Sequence, residues 1–394
     1  MELPGRELEQ GFNELMGRIG GVFANEAGYR MGKNYIRGLL SPIERKNGWQ
    51  MAEALGQETP YAVQQFLFRG RFSPDALRDE LRIYVRDKIG DPDGVMVVDD
   101  TGFMKKGEKS CGVKRQYSGT AGKIENCQIG VFLTYAGNKG HAPIDRRLYI
   151  PADWCADRER SRAAGVPDDV GFQTKPQMAL DMIKEATGTG VPYTWVTGDC
   201  AYGDYRSIRL WLEEQGKCYV FCVSGKEHLW RGGIQVSVSE ILQGLPEDGW
   251  FESSCGNGSK GARVYDWMWL NLGQSMSQGF MRSMLIRRSK ADPEDLQAYL
   301  CCAPVNAPVE KLVHIAGLRW TVECCFAETK SEVGMDHYEV RNYDGWYKHI
   351  TLACLALALL TALSVHSMDT KTFQEHDPAS NSLEAFKRGR GLRV

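Results

Sequence analysis

The chain has 394 residues, of which 43% are hydrophobic and 25% charged, and its formal net charge is -2. This length exceeds one ordinary core, so we expect a catalytic domain with appended or inserted modules. The near-neutral charge excludes a global basic field, and any charge that binds nucleic acid must therefore be local.

Residues 1–90 predict a helical N-terminal module. Ser41, Thr59 and Ser73 each stand just before a proline, a pattern typical of a capped helix start. The first 30 residues carry acids throughout and no apolar h-region, so we expect a cytoplasmic protein without a secretory signal. The module is a candidate for DNA binding, and a packing or dimerisation domain is an equal alternative. Its candidate DNA-contacting cations are Lys33, Arg37, Arg45, Lys46, Arg69 and Arg71.

A strong turn signal at Gly90–Gly94 precedes the first buried strand and sets a domain boundary there. Residues 91–224 then read as three strands followed by alternating helix and strand, which predicts an α/β core with a mixed sheet. The predicted strands are 95–98, 128–135, 142–150, 193–197 and 218–223, and the predicted helices are 175–187 and 205–214.

The pattern changes twice after this first part of the core. Residues 225–305 carry short β-rich runs separated by glycine-rich turns, and we interpret them as a β-rich insertion. Residues 306–367 return to a helical period and form the second part of the core. The apolar run Ile350 to Val365 is shorter than the roughly 20 residues of a spanning helix, so we expect a buried helix and no membrane. Residues 368–394 predict a disordered basic tail.

Local positive charge is concentrated between Phe103 and Arg147, where nine Lys and Arg face three acids. This surplus is compatible with a DNA-binding surface and equally with a solvated face. The twelve cysteines are scattered without zinc-finger spacing, and we expect them to behave as small buried hydrophobes. A structural zinc protein is therefore disfavoured.

Two adjacent acids, Asp99 and Asp100, end a valine-rich strand. Charged groups at such a position are costly unless they have partners or bind metal. Because neighbouring side chains on a strand point to opposite faces, the two acids cannot both reach one site. The alternative role for an acid here is to cap the following turn.

A second acid, Asp199, stands at the exit of another apolar strand and before a turn into a helix. Ligands of open α/β sheets bind at the carboxyl ends of strands, which makes Asp199 a candidate site residue. N-capping of the following helix is the alternative role.

The third signal lies in the predicted helix 309–332, where Arg319, Glu323 and Lys330 stand at i, i+4 and i+11. At 100° per residue these three charges lie within about 40° of one another. The same face carries Val322 and Phe326, so the charges lie on the stripe that should be core. A salt-bridge ladder on a solvated face would be expected to avoid that stripe.

Together these motifs resemble the DDE transposases of bacterial insertion sequences, an RNase H-like superfamily, and in particular the branch whose last helix carries Y-x2-R-x3-E-x6-K. Arg319, Glu323 and Lys330 match that spacing, while the tyrosine position falls on Ala316. The segments Asp99-x-Thr101 and Asp199-x2-Tyr202 resemble the surroundings of the two aspartates. The resemblance extends over about 36–363. It implies an RNase H-like catalytic core, with the β-rich insertion between the second Asp and the Glu.

The resemblance implies that Asp99, Asp199 and Glu323 are the catalytic residues and the metal ligands. Asp100 is the alternative first ligand, since some relatives place the acid immediately before the Thr. Three carboxylates can hold two Mg²⁺ ions about 4 Å apart for phosphoryl transfer, and we expect Mn²⁺ to substitute. Arg319 and Lys330 are predicted to contact DNA phosphates.

The expected partners are double-stranded DNA, both terminal inverted repeats and target, and a second copy of the chain in a synaptic complex of at least a dimer. The predicted function is a DNA transposase that cleaves insertion-sequence ends and joins them to target DNA. An RNase H-like nuclease without strand transfer, or a non-catalytic DNA-binding protein derived from a transposase, are the alternatives.

Overall fold

The computed structural model describes residues 5–119, 121–231, 233–258 and 261–374. The last helix continues to Gln374, so the beginning of the predicted tail, 368–374, is helical. The rest of that predicted tail, 375–394, lies outside the described residues.

The N-terminal part is helical, as the turn signals predicted, and the caps decide where its helices begin. Ser73 caps a helix through its side chain, which accepts from Ala76 N at 3.1 Å. The prediction for Ser41 was wrong, because this residue ends a helix and its hydroxyl donates to Gly38 O at 2.7 Å. Pro60, and not Thr59, stands at the N-cap position of the helix Tyr61–Arg69. These helices are α1 (Arg6–Ile19), α2 (Glu26–Leu40), α3 (Gly48–Ala54), α4 (Tyr61–Arg69) and α5 (Pro74–Ile89).

The central feature is a ten-stranded mixed sheet. Its first part contains the five strands that the sequence predicted and one that it did not, β2. These strands are β1 (Val95–Met104), β2 (Lys114–Ser118), β3 (Lys123–Gly137), β4 (Gly140–Tyr149), β5 (Trp195–Gly198) and β6 (Cys218–Val223). The predicted end of the first strand was wrong, because pairing with β3 continues to Met104 and places Asp99 and Asp100 inside β1. The helices between the strands are α6 (Ala152–Ala156), α7 (Arg158–Ala163), α8 (Lys175–Gly188), α9 (Cys200–Gly203) and α10 (Arg206–Glu214). β3 runs antiparallel to β1, β2 and β4, whereas β5 is parallel to β1 and to β6. The mixed α/β fold is the RNase H-like fold that the resemblance implied.

Residues 225–305 are mostly strands, and the longest of them extend the central sheet. The elements of the segment are β7 (His228–Arg231), β8 (Ile234–Ser237), α11 (Val238–Gln243), β9 (Phe251–Gly258), β10 (Gly261–Gln274), β11 (Phe280–Arg288) and β12 (Leu296–Pro304). The order of the central sheet continues from β6 through β12 to β11, β10 and β9, and β12 pairs antiparallel with β6 over Ala298–Cys302. β7 and β8 form a separate two-stranded sheet.

Two long helices complete the described chain, α12 (Val309–Ser331) and α13 (Tyr343–Gln374). α12 packs on β1, β5 and β6, and α13 packs on β4 and on the N-terminal helices. By length and composition Tyr343–Val365 could cross a membrane, but 67% of its most apolar window is buried inside the protein. That burial is typical of a core helix, as the sequence predicted.

A buried network of charges joins α5, β4 and α8. Asp145 is fully buried and forms ion pairs with Arg82, Arg146 and Arg147. Arg146 is itself inaccessible and pairs with Asp75 at 3.0 Å. Arg146 and Arg147 of β4 were counted among the nine Lys and Arg between Phe103 and Arg147 that could form a basic surface. The structure removes both from that surface, because Arg146 is buried and Arg147 is largely buried.

Candidate active site

The two adjacent acids of β1 lie on opposite faces of the sheet. Asp99 faces α12, where its Oδ2 lies 4.0 Å from Arg319 Nη1. Asp100 faces α8, where its carboxylate pairs with Lys175 Nζ at 2.9 Å and accepts from Tyr202 Oη at 3.1 Å. The alternation predicted from the strand is therefore present, and Asp99 shares its face of the sheet with the helix that carries Glu323.

Asp199 follows β5, which pairs with β1 in parallel register up to Val98 and Gly198. Its side chain caps the short helix α9 by accepting from Ala201 N at 3.0 Å. The capping role and a position at the strand end are thus combined in one residue. Parallel pairing of β1 and β5 places Asp199 beside the acids of β1.

On α12, Arg319 lies between two of the candidate carboxylates. Its guanidinium is 3.4 Å from Glu323 Oε1 and 4.0 Å from Asp99 Oδ2. Burial lowers the pKa of Arg319, but the charges of Asp99 and Glu323 outweigh burial and raise it. The helical face is the one predicted, since Val322 is inaccessible and Phe326 is buried.

Lys330, the third member of the helical motif, points at β1. Its Nζ donates to Thr101 Oγ1 at 2.8 Å and to Gly102 O at 3.3 Å. Burial lowers the pKa of this ammonium. In this structure Lys330 therefore ties the end of α12 to β1.

The carboxylates carry an excess of negative charge that a cation would relieve. Burial, together with the charges of Asp199 and Asp100, raises the pKa of Asp99 to about 7. Burial and the charge of Asp100 also raise the pKa of Asp199. Within the described part of the chain, no three His, Cys, Asp or Glu side chains are close enough to hold a metal ion. The donor chemistry fits a hard divalent cation, while Arg319 is the present counter-ion of Asp99 and Glu323.

Lys175 and Tyr202 belong to the surroundings of the site, and no pattern in the sequence predicted a role for Lys175. Tyr202 is inaccessible to solvent and lies three residues after Asp199, so its bond to Asp100 ties the Asp199 turn to β1. Lys175 begins α8, whose N-terminus is fixed by the capping box of Thr174 and Gln177. Pro176, two residues after the capping threonine, is a sequence signal for this helix start.

The β-rich segment touches α12 close to Arg319. A Cβ on Gly317 would lie 1.9 Å from Cys255 O, so only glycine lets β9 and α12 approach this closely. Arg263 also donates to Gly317 O at 3.0 Å. Strands 225–305 therefore support the helix that carries Arg319 and Glu323.

Three of the candidate DNA-contacting cations in residues 1–90 have partners within the protein. Arg37 pairs with Glu9, Lys33 donates to Asn13, and the buried Lys46 donates to Ser41 O.

All twelve cysteines are free, and nine of them are buried, which confirms their interpretation as small hydrophobes.

The mixed sheet, with α12 packed on β1 and β5, defines an RNase H-like class of fold. Asp99 and Asp199 at neighbouring strands and Glu323 on α12 are the candidate acids of this fold.

Comparisons with known proteins agree with this class. Residues 17–244, more than half of the chain, match the family model of the DDE superfamily endonucleases, and residues 168–359 match the transposase DDE domain. The chain is also 23% identical over 322 residues to a probable transposase for insertion sequence element IS701 from Microchaete diplosiphon, covering 78% of this chain and 75% of that protein. The chain belongs to the DDE superfamily of endonucleases and is a DDE transposase of the insertion-sequence type.

Proposed function

We propose that this transposase cleaves the ends of its insertion sequence and joins them to target DNA, with Asp99, Asp199 and Glu323 as the metal ligands. The observation that carries the proposal is that Arg319 lies against both Asp99 and Glu323 on the α12 side of β1, with Asp199 at the end of the neighbouring strand β5. Burial, together with the charges of Asp199 and Asp100, raises the pKa of Asp99 to about 7, and a bound cation would offset this destabilisation of the carboxylate.

Asp99 is the first ligand in this proposal because of the face on which it lies. Asp99 and Arg319 meet on the α12 side of β1, where Glu323 also lies. The Asp100 carboxylate has two partners on the other side, Lys175 and Tyr202. Asp100 therefore positions the Asp199 turn, and its negative charge raises the pKa values of both ligands.

The residues of the site have separate roles in the reaction. Divalent ions, Mg²⁺ or Mn²⁺, would activate the attacking water or DNA 3′-hydroxyl and stabilise the leaving oxygen. Arg319 holds Asp99 and Glu323 in the DNA-free protein and turns to a phosphate of the bound end, where its planar fork fits phosphate oxygens. Lys330 keeps α12 against β1 and supplies positive charge close to the bound strand.

The test is incubation of purified protein with labelled DNA that carries the element's own ends, in Mg²⁺, Mn²⁺ or EDTA. We expect metal-dependent cuts and joined products, and loss of both in Asp99→Asn, Asp199→Asn and Glu323→Gln with DNA retardation kept. Glu328→Gln is the matched control, since Glu328 lies on the same helix but its partner is His141. Cuts without joined products would instead indicate a nuclease without strand transfer.

Asp100→Asn decides between the two adjacent acids. Electron paramagnetic resonance of Mn²⁺ should show weaker ion binding in Asp99→Asn, whereas Asp100→Asn should keep ion binding and cleave more slowly. The reverse outcome, with Mn²⁺ lost only in Asp100→Asn, would make Asp100 the first ligand. Retardation without any cutting by the wild-type protein would indicate a DNA-binding protein that has lost catalysis.

A further inference from the structure

The guanidinium of Arg209 is buried beside the turn that carries Asp199. Arg209 belongs to α10, and only 6% of it is exposed. A guanidinium is always charged, and it cannot be buried without partners that compensate for the loss of water. The contacts of Arg209 therefore show which parts of the fold it holds together.

The first contact of Arg209 is with α9. Its Nη1 donates to the carbonyl of Gly203, the last residue of this helix, and Asp199 caps the first turn of the same helix. The helix has only four residues, so a displacement of its end moves its start as well. A Cβ on Gly203 would lie 1.9 Å from Cys222 O, so this end of α9 lies directly on β6. Arg209 thus holds α9, and with it the Asp199 carboxylate, against the sheet.

The second contact of Arg209 comes from the β-rich segment. Its Nη2 donates to Glu227 Oε1, and the Glu227 side chain is 16% exposed. Glu227 lies just before β7, and its carbonyl accepts from the backbone N–H of Val238, the first residue of α11, at 2.8 Å. Breaking an ion pair that is shielded from water leaves a charge buried without its counter-ion, which is costly. Glu227 therefore fixes the direction of the Arg209 guanidinium.

A hydrogen bond parallel to this ion pair joins the same two parts of the chain. Asp204, the residue that ends α9, accepts from Ser224 N at 2.9 Å. Ser224 O in turn accepts from Glu227 N at 3.2 Å. The turn 224–227 is thus bonded to α9 at its start and to Arg209 at its end. Movement of this turn would act on α9 through both contacts.

We propose that Arg209 is a positioning residue for Asp199, and that its pairing with Glu227 makes metal binding at Asp199 depend on the β-rich segment. In this role Arg209 touches neither DNA nor metal, because it acts through the backbone of α9. Replacing a residue that orients a metal ligand commonly lowers metal affinity by roughly ten- to a hundredfold. The inference rests on the proposed function, since it takes Asp199 as a metal ligand.

The test is a titration of the full chain with Mn²⁺, followed by electron paramagnetic resonance, together with urea unfolding of each variant. In Arg209→Lys the ammonium lacks the planar fork that bonds Gly203 O and Glu227 together, so Mn²⁺ affinity should fall about tenfold. Glu227→Gln should lower the affinity too, and should add little to Arg209→Lys because both changes break the same pair. Cleavage of end DNA by these variants should recover when the Mn²⁺ concentration is raised in proportion.

Arg282→Met is the matched control. Arg282 pairs with Glu213 of α10 at 2.7 Å, so it also joins α10 to the β-rich segment. Within the described residues its side-chain hydrogen bonds go to Glu213 and not to α9. Ser275 Oγ still donates to Glu213 in this variant, a bond of 2.7 Å in the native protein, so the turn between β10 and β11 stays on α10. We expect a lower urea midpoint and unchanged Mn²⁺ affinity.

Two results would overturn the inference. One is wild-type Mn²⁺ affinity in Arg209→Lys with a lowered urea midpoint, because Arg209 would then only stabilise the fold. The other is an equal loss of Mn²⁺ affinity in Arg282→Met, because the loss would then not depend on contact with α9. Asp199→Asn separates both results from failure of the proposed function. It should lose Mn²⁺ whether or not Arg209 positions Asp199, and wild-type affinity in Asp199→Asn would reject Asp199 as a ligand and the inference with it.

Discussion

The raised pKa of Asp99 predicts that the metal-free protein is destabilised by its own candidate ligand. The pKa lies near 7 instead of 3.8, because of burial and the charges of Asp199 and Asp100. Between these values the unfolded chain loses its proton first, so stability falls as pH rises from about 4 to about 7 and then stays level. At about 1.4 kcal/mol per pH unit, the cost at pH 8 is about 4 kcal/mol, and at pH 5 it is about 2 kcal/mol.

Asp99→Asn removes this cost, since the amide cannot ionise and its oxygen can still accept from Asp100 N, a bond of 2.7 Å in the native protein. In EDTA at pH 8 the free energy of unfolding should rise by about 4 kcal/mol, and at pH 5 by about half as much. With a urea m-value of about 3 kcal/mol/M, the midpoint at pH 8 should increase by roughly 1 M.

The assay is urea unfolding followed by tryptophan fluorescence at both pH values. Asp153→Asn is the control, because Asp153 is 49% exposed and pairs with Lys114 at the surface, so its midpoint should move little. Equal midpoints for Asp99→Asn and wild type at pH 8, or a gain that is the same at pH 5 and pH 8, would refute the reasoning.

Three further predictions test other contacts. Asp145→Asn should destabilise the protein by about 3–5 kcal/mol in urea unfolding, because it leaves buried guanidinium groups without their counter-ion; a loss below 1 kcal/mol would contradict this. Gly102→Ala should lower the melting temperature and the cleavage rate, because its Cβ would lie 2.2 Å from Ser118 Oγ, and adding Ser118→Gly should restore both if this contact is the cause. Tyr202→Phe should slow cleavage several-fold with DNA affinity unchanged, because it removes the bond to Asp100; an unchanged single-turnover rate would exclude this positioning role.

Local sequence signals were sufficient for most secondary structure and for naming the candidate acids. Buried strands such as β6, and helices such as α8, are encoded by runs of apolar residues and by caps within a few positions, and these interactions form wherever the segment lies in the fold. The spacing of Arg319 and Glu323 likewise predicted that both lie on one helical face, because the period of a helix is fixed by its own backbone.

Tertiary packing decided what local signals left open. Asp99 and Asp100 are neighbours within β1, and only the positions of α12 and α8 on opposite faces give them different partners. Arg146 cannot be told from a surface cation by its sequence, yet it is buried because its neighbour Asp145 and the distant Asp75 neutralise it. In the same way, the pairing of β12 with β6 joins the β-rich segment to the core sheet. Such choices depend on contacts between residues far apart in sequence, which no local pattern contains.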